Sequence, residues 1–270
     1  MVANDFRLKF SDAESNDKLK KMAAELGGSF YSFATLAGVD CPFAKTCKAW
    51  AAELVGPLPP KAVVPKNGSW RLHRGKHSKV TCFAASQEVR NPAIRKQRQH
   101  NQKIHELGGR GVKAVYDVIA RSLPSDAKLV RVHVSGDFKT LAYFDAWMQI
   151  ARDNPTCKFY AYTKSLPFWV KRWGTLPDNF ILTASWGGTH DELIPLHNLR
   201  SAIIVADESE ASNLGLPVDH DDSHAANRGG DFALIVHGPQ EAGSDYAKII
   251  KKNNDKVRDY RKANNLPPSY

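Results

Sequence analysis

The chain has 270 residues, 42% of them hydrophobic, which suffices for one large core or for two domains with one of them small. The net charge of +10 favours polyanionic partners such as nucleic acid or a nucleotide, although a basic protein without such a partner has the same composition. No segment resembles a signal peptide or a membrane helix of roughly 20 apolar residues, so we expect a cytoplasmic protein without membrane contact.

The first third of the chain is predicted to be mostly irregular. A short polar helix is expected over residues 12–26 within an N-terminal segment that spans 1–29. Residues 30–90 are rich in proline, glycine, lysine and histidine, and residues 54–80 have the composition of an insertion. A strongly basic helix is predicted over 87–107, in which Arg95, Lys96 and Arg98 are expected to hold phosphates.

Three of the four cysteines, Cys41, Cys47 and Cys82, lie in this irregular region. Cytosolic cysteines are more often reduced, metal-bound or catalytic than bridged, and the irregular spacing does not suggest a disulfide framework. Three thiolates could hold one metal centre and leave a coordination position free. The alternatives are an iron–sulfur cluster, a zinc ion with His73 or His77 as the fourth ligand, and unconnected structural thiols.

From residue 112 onward, helices alternate with short apolar strands, which indicates a parallel sheet with crossover helices. The predicted strands cover residues 129–134, 158–163, 180–185, 202–206 and 231–237. The predicted helices cover residues 112–123, 141–153, 167–173 and 209–214, and residues 191–197 are expected to form a short turn or helix. Residues 30–245 are expected to form one domain, followed by a basic tail over 246–270.

Side chains alternate between the two faces of these strands. Those on one face are apolar, and those on the other face become polar toward the carboxyl ends of the strands. An open doubly wound sheet would be apolar on both faces, so we predict a closed or partly closed (β/α) barrel with its site at the C-terminal mouth. The alternative is that strand ends are polar simply because they enter loops. The polar residues expected to converge are His133, Ser135, Asp137, Lys164, Ser185, Asp207 and His237.

The strongest local motif is His133-Val-Ser-Gly-Asp-Phe138, in which a strand runs into a tight turn with a carboxylate at its tip. Asp137 could bind a metal, orient a hydroxyl group or act as a base, or it could cap the following helix. We predict catalytic roles for His133, Ser135, Asp137 and Lys164. Substrate contacts are predicted for Tyr162, Ser185, Asp207 and His237.

Five segments of the chain together resemble the phage gene product 88 family, over about residues 30 to 245. These segments are Phe33-Ala-Thr-Leu-Ala-Gly-Val-Asp-Cys-Pro-Phe-Ala-Lys-Thr-Cys47, Cys82-Phe-Ala-Ala-Ser-Gln-Glu88, Val132-His-Val-Ser-Gly-Asp-Phe138, Phe159-Tyr-Ala-Tyr-Thr-Lys-Ser165 and Asp219-His-Asp-Asp-Ser-His224. The resemblance implies a phage or prophage protein that acts inside the host cell, and it implies no particular mechanism.

A more distant likeness is to radical S-adenosylmethionine enzymes, which have a (β/α) barrel, often partial, with a three-cysteine 4Fe–4S loop at its C-terminal mouth. Cys82-Phe-Ala is similar to the Cys-Tyr-Ala ending of some of these loops. Their usual Cys-x3-Cys-x2-Cys spacing and a Gly-Gly-Glu-type motif are absent here. The likeness therefore implies a cluster but not the use of S-adenosylmethionine.

We therefore predict a single barrel-like α/β domain whose metal centre is held by Cys41, Cys47 and Cys82, with a 4Fe–4S cluster favoured over zinc. The predicted function is an iron–sulfur enzyme that acts on nucleic acid or a nucleotide during phage infection. Two alternatives are a non-enzymatic nucleic-acid-binding protein with a structural metal and a zinc hydrolase.

Overall fold

A seven-stranded sheet forms the centre of the computed structural model, which describes residues 5–15, 17–53, 70–227 and 229–263. Most of the predicted insertion, residues 54–69, lies outside the described residues. The strands are β1 (Ser11–Asp12), β2 (Ser29–Ala34), β3 (Ala49–Glu53), β4 (Trp70–Arg74), β5 (Ala127–Ser135), β6 (Lys158–Thr163), β7 (Phe180–Ser185), β8 (Ser201–Val205) and β9 (Phe232–Ile235).

The α-helices of the described residues vary from a single turn to more than four turns. They are α1 (Asp17–Leu26), α2 (Phe83–Arg90), α3 (Pro92–Gln102), α4 (Val112–Ser122), α5 (Leu141–Asp153), α6 (Leu166–Lys171), α7 (Leu193–Leu196), α8 (Glu208–Asn213), α9 (Ser223–Ala226) and α10 (Asp245–Ala263). In the described ranges, 3₁₀ helices cover Ala13–Ser15 and Lys103–Arg110. None of the helices in these ranges combines the length and the apolar character that crossing a membrane requires.

The large sheet has the strand order β1-β2-β5-β6-β7-β8-β9. Strands β2 and β5 to β9 are parallel and follow chain order without a reversal, and β1 pairs antiparallel with the outer side of β2. The predicted α/β class and parallel sheet are thus confirmed. Within the described residues the sheet does not close, because β1 and β9 each pair on one side only, so the closed barrel is not found.

Both faces of the sheet are covered by helices. On the first face, the apolar side chains of β5, β6 and β7 pack against α4, α5 and α6, as the sequence predicts. On the second face, Leu129, Tyr160 and Ile181 pack in one cluster with Leu19 and Met22 of α1 and with the alanines of α9. The face predicted to line a lumen therefore forms a second core. Each large apolar side chain that is buried there stabilises the fold by roughly 1.5–3 kcal/mol.

The predicted basic helix over 87–107 is divided between α2, α3 and the 3₁₀ helix that follows. The division falls at Asn91, because a residue before proline is driven into extended backbone. The Asn91 side chain then caps α3 by accepting hydrogen bonds from the backbone N–H groups of Ala93 (3.0 Å) and Ile94 (3.2 Å). Because α2 and α3 are separate helices, the basic side chains of α3 point in directions that differ from those in one continuous helix.

Candidate functional site

Side chains join the ends of β5, β6 and β7 at the carboxyl edge, the edge of the sheet where the parallel strands end. Asp137 Oδ1 accepts hydrogen bonds from Thr163 Oγ1 (2.6 Å) and the Phe138 N–H (2.8 Å), and Oδ2 accepts one from the Lys164 N–H (2.8 Å). Lys164 Nζ donates to Ser185 Oγ (2.5 Å) and to the Ser185 carbonyl (3.1 Å). The structure therefore brings Asp137, Lys164 and Ser185 together, as predicted.

Asp137 and Lys164 are both buried, with 5% and 7% of their surface exposed. Burial raises the pKa of Asp137, although its hydrogen-bond donors and the charge of Lys164 act in the opposite direction. Asp137 is not the cap of α5, because that position belongs to Thr140, whose Oγ1 accepts a hydrogen bond from the Tyr143 N–H (3.2 Å). The capping alternative for Asp137 is therefore wrong.

The cysteine loop, residues 35–48, crosses the carboxyl edge and is bound to it through the backbone. The Asp137 N–H donates to the carbonyl of Asp40 (3.1 Å), which places Asp137 beside Cys41. At the other end of the loop, the N–H groups of Lys45 (3.1 Å) and Thr46 (2.9 Å) both donate to the Gly187 carbonyl, just after β7. Cys41 and Cys47 are thereby fixed over the ends of these strands.

Two glycines allow the cysteine loop to approach the strand ends closely. Gly136 (φ +84°) and Gly187 (φ +94°) both have backbone angles that favour glycine. A Cβ atom on Gly136 would lie 1.9 Å from Thr35 Oγ1, and one on Gly187 would lie 2.0 Å from Thr46 Oγ1. No larger residue fits at either position unless the loop moves.

Cys82, which is distant in sequence from the cysteine loop, also lies at the carboxyl edge. The Val80 N–H donates to the Thr46 carbonyl (3.0 Å), and Cys82 then occupies the position before the first turn of α2. Helix α2 is held in turn by the buried Glu88, whose Oε1 accepts hydrogen bonds from the Ala37 N–H (2.9 Å) and, weakly, from Ser135 Oγ (3.4 Å). Ser135 therefore lies at the edge, where it positions α2.

The three thiols are close enough for their charges to interact. Burial raises the pKa of Cys41 well above its ordinary value, and Asp137, Cys82 and Cys47 raise it further. Burial and the neighbouring Cys47 raise the pKa of Cys82 to about 11. The three cysteines are free thiols, and in the described ranges no group of three or more His, Cys, Asp or Glu side chains is arranged to hold a metal ion.

His133 does not belong to this group, contrary to the prediction from strand alternation. Its Nε2 lies 2.8 Å from the Tyr143 hydroxyl on α5, and its ring packs near Trp147. The register between β2 and β5 shifts just beyond Val132, and the simple alternation of faces ends there. Burial and the nearby His105 lower the pKa of His133 to about 3, so the imidazole is neutral near pH 7.

Arg95 and Arg98 are buried, and the prediction that they hold phosphates is wrong. The Arg95 guanidinium lies 4.0 Å from the centre of the Trp70 ring and donates to the Glu88 carbonyl (2.5 Å). Arg98 forms a buried ion pair with Glu88 (3.0 Å), because a buried carboxylate requires a partner of opposite charge. Lys96, on the opposite side of α3, is exposed.

Asp207 and His237 also lie apart from the strand-joining group. The Asp207 side chain caps α8 and accepts a hydrogen bond from the Glu210 N–H (3.0 Å). His237 is exposed, with its ring centre 4.9 Å from that of Phe83, the residue after Cys82. It therefore borders the cysteines without joining the network of Asp137 and Lys164.

A buried ionic network on the second face contains Tyr162. Asp222 accepts hydrogen bonds from Arg131 (2.5 Å), Lys18 (2.8 Å), Tyr160 (3.0 Å) and Tyr162 (3.3 Å). Burial acts to raise the pKa of Asp222, but the charges of Arg131 and Lys18 lower it overall. Asp222 belongs to the segment Asp219–His224, which carries part of the family resemblance, and in the structure it is buried and pairs with cations from β5 and α1.

Comparisons with known proteins find a family model and a phage relative. Residues 8–261 match the family model described as Gene product 88. A segment of 92 residues is 32% identical to the Gene 88 protein of Mycobacterium phage L5, which corresponds to 34% of this chain and 37% of that protein. The match thus spans little more than a third of the relative's length. No solved structure is significantly similar to the chain.

Proposed function

The chain belongs to the gene product 88 family, and we propose that it is a phage-encoded iron–sulfur enzyme that acts on nucleic acid or a nucleotide in the host cytoplasm. Cys41, Cys47 and Cys82 would bind a 4Fe–4S cluster at the carboxyl edge. The observation that carries the proposal is that three free thiols, two on the cysteine loop and one just before α2, lie at the carboxyl edge beside the ends of β5 and β7.

We favour a 4Fe–4S cluster over a single zinc ion as the group that these three thiols would hold. In a zinc site each sulfur lies about 2.3 Å from one shared ion, so the sulfurs are mutual neighbours. In a 4Fe–4S cluster each thiolate binds a different iron atom, which requires wider spacing, and three cysteines leave one iron open to a further ligand.

The fold supports a site at this edge. Six parallel strands follow chain order, and helices α4, α5 and α6 cover one face of the open sheet. Parallel α/β folds, open sheets and barrels alike, place their binding sites at the carboxyl ends of the strands. The cysteine loop and Cys82 lie there, as the proposal requires.

The residues around the cysteines act mainly by positioning them. The hydrogen bonds of Ser135, Asp137 and Lys164 join the strand ends and hold α2. We therefore assign these residues positioning rather than proton-transfer roles. The neutral His133 packs in the aromatic core and takes no part in this assignment. The bound cluster would supply the open iron site, and Asp137 would fix the adjacent Cys41 through the Asp40 carbonyl.

Metal analysis of anaerobically purified protein tests the proposal. We expect about four iron and four sulfide ions per chain, and their loss in Cys41→Ser, Cys47→Ser and Cys82→Ser. The matched control is Cys157→Ser, because Cys157 is a buried free thiol at the opposite edge of the sheet, next to the start of β6. One zinc per chain without sulfide would favour the zinc hydrolase, and protein free of metal would overturn the proposal.

A further inference from the structure

A cavity of about 490 Å³ opens beside the cysteine loop. Its lining includes Lys45, Thr46, Lys76, His77, Lys79 and Asp191. The strand pattern does not single out these lysines, because Lys45 lies in the irregular segment before the predicted insertion and Lys76 and Lys79 lie inside it. Their position next to the cysteines makes the cavity a candidate for the part of the substrate that carries charge.

The two segments that carry the lysines are fixed to each other and to the sheet. The Lys79 N–H donates to the Thr46 carbonyl (2.7 Å), and the Lys45 N–H donates to the Gly187 carbonyl (3.1 Å). The Gly75 N–H donates to the Lys48 carbonyl (2.7 Å), which anchors the turn before Lys76. Backbone hydrogen bonds therefore hold the segments that line the cavity to each other and to the carboxyl edge of the sheet.

The cavity carries a surplus of positive charge. Lys45, Lys76 and Lys79 are exposed, and within the described ranges none of their ammonium groups forms an ion pair. The lining also contains an acidic residue, Asp191. Its carboxylate accepts hydrogen bonds from the N–H groups of Gly187 (2.9 Å) and Gly188 (2.8 Å). The lining therefore contains three lysines and one carboxylate that already accepts backbone hydrogen bonds.

We propose that this cavity binds phosphate groups, either of a nucleic acid strand or of a free nucleotide. Lysine ammonium groups bind phosphate as compact point charges, and the volume lies in the range of small-molecule sites. The Thr46 carbonyl, which binds the Lys79 and Val80 N–H groups, lies one residue before Cys47. A phosphate held here would lie beside the cysteines. The role as a substrate site rests on the proposed function, but phosphate binding does not require the metal.

Binding measurements on a charge-reversed protein test this site. The probes are a fluorescently labelled single-stranded oligonucleotide, ATP and inorganic pyrophosphate, titrated over a series of salt concentrations. We expect Lys45→Glu/Lys79→Glu to weaken binding at least about tenfold and to lower the salt slope for the oligonucleotide by about 1.4, or 0.7 for each lost contact.

The matched control, Lys128→Glu/Lys158→Glu, makes the same change in net charge with two exposed lysines at the opposite edge of the sheet. It should bind all probes within about threefold of the unaltered protein, because surface charges beyond about 10 Å are screened. Thermal unfolding of each variant reports folding, and Lys45→Gln/Lys79→Gln replaces the glutamate variant if that protein is unstable.

The probes separate the two sources of phosphate. Tight binding of the oligonucleotide with weak binding of ATP indicates a nucleic acid strand, and the reverse indicates a nucleotide. Absence of binding by all three probes, or equal losses in the pocket and control variants, would overturn the site. Iron analysis of the same preparations keeps the two proposals distinct, since the pocket variant should retain the iron content of the unaltered protein.

Discussion

The Lys164 N–H donates a 2.8 Å hydrogen bond to the Asp137 carboxylate and so joins the ends of two adjacent strands, β5 and β6. The ammonium group of the same lysine reaches Ser185 at the end of β7 (2.5 Å). Because the Asp137 N–H also holds the Asp40 carbonyl, one short network connects three strand ends to the loop that carries Cys41. The geometry of the cysteines therefore depends on this network.

Asp137→Asn should lower the free energy of unfolding by about 1–3 kcal/mol, because an amide NH₂ group replaces one oxygen that faces a hydrogen-bond donor. Denaturant unfolding measures the change. Asp207→Asn is the control, since asparagine caps a helix as well as aspartate does and should have an effect of less than about 0.5 kcal/mol at α8. Equal effects of the two substitutions would contradict the role of Asp137 in joining the strands.

Gly187→Ala should displace Thr46 and with it the neighbouring Cys47, because the new Cβ atom would lie 2.0 Å from Thr46 Oγ1. We expect the metal content of anaerobically purified protein to fall. Gly174→Ala is the matched control, since Gly174 also has a positive φ (+75°) but has no neighbouring atom within 4 Å of the added Cβ.

Both glycine variants carry a similar backbone strain, so thermal unfolding should show a modest loss in each. Only Gly187→Ala should lose metal. Full metal content in Gly187→Ala would mean that the close approach of Gly187 to Thr46 does not position Cys47.

The regular half of the fold could be predicted from sequence because its patterns are local. The observed bounds of α5, β6 and β7 equal the predicted ranges, since apolar periodicity and terminal residues determine them. The carboxyl-edge meeting of Asp137, Lys164 and Ser185 followed from the rule that parallel strands end at the same edge. Strand β2 was missed, because it lies between Gly27-Gly28 and the cysteine loop in sequence without clear alternation.

Residues whose position depends on tertiary contacts could not be placed in this way. Arg95 and Arg98 look like surface cations in sequence, and only their contacts with Trp70 and Glu88 show that they are buried. His133 was assigned to the wrong face because alternation carries no signal of a register shift against a distant strand. Such pairings depend on partners far away in the chain.

Arg98→Met should lower the free energy of unfolding by about 3–5 kcal/mol, because it leaves the buried Glu88 carboxylate without its ion-pair partner. Lys96→Met, the control on the exposed side of α3, should change stability by less than about 0.5 kcal/mol. Denaturant unfolding compares the two variants. A small effect of Arg98→Met would show that Glu88 is protonated or solvated, and the assigned anchor of α2 would then be wrong.

Two buried histidines give the protein a dependence on pH between about 6.5 and 4. Burial lowers the pKa of His133 to about 3 and that of His105 to about 4, both below the ordinary value of 6.5. The unfolded chain therefore binds protons that the folded chain does not. The full contribution of the neutral histidines is present above pH 6.5 and is lost as the pH falls toward those values.

For His133 this loss amounts to about 2 kcal/mol between pH 7.5 and 5, since each unit below 6.5 costs about 1.4 kcal/mol. His133→Gln can keep a hydrogen bond to Tyr143 but has no proton to gain, so its free energy of unfolding should fall less over this interval. The difference between the pH profiles of the two proteins reports His133 alone, because the carboxylates titrate in both proteins. Parallel pH profiles for the variant and the unaltered protein would mean that His133 is accessible to protons in the folded state.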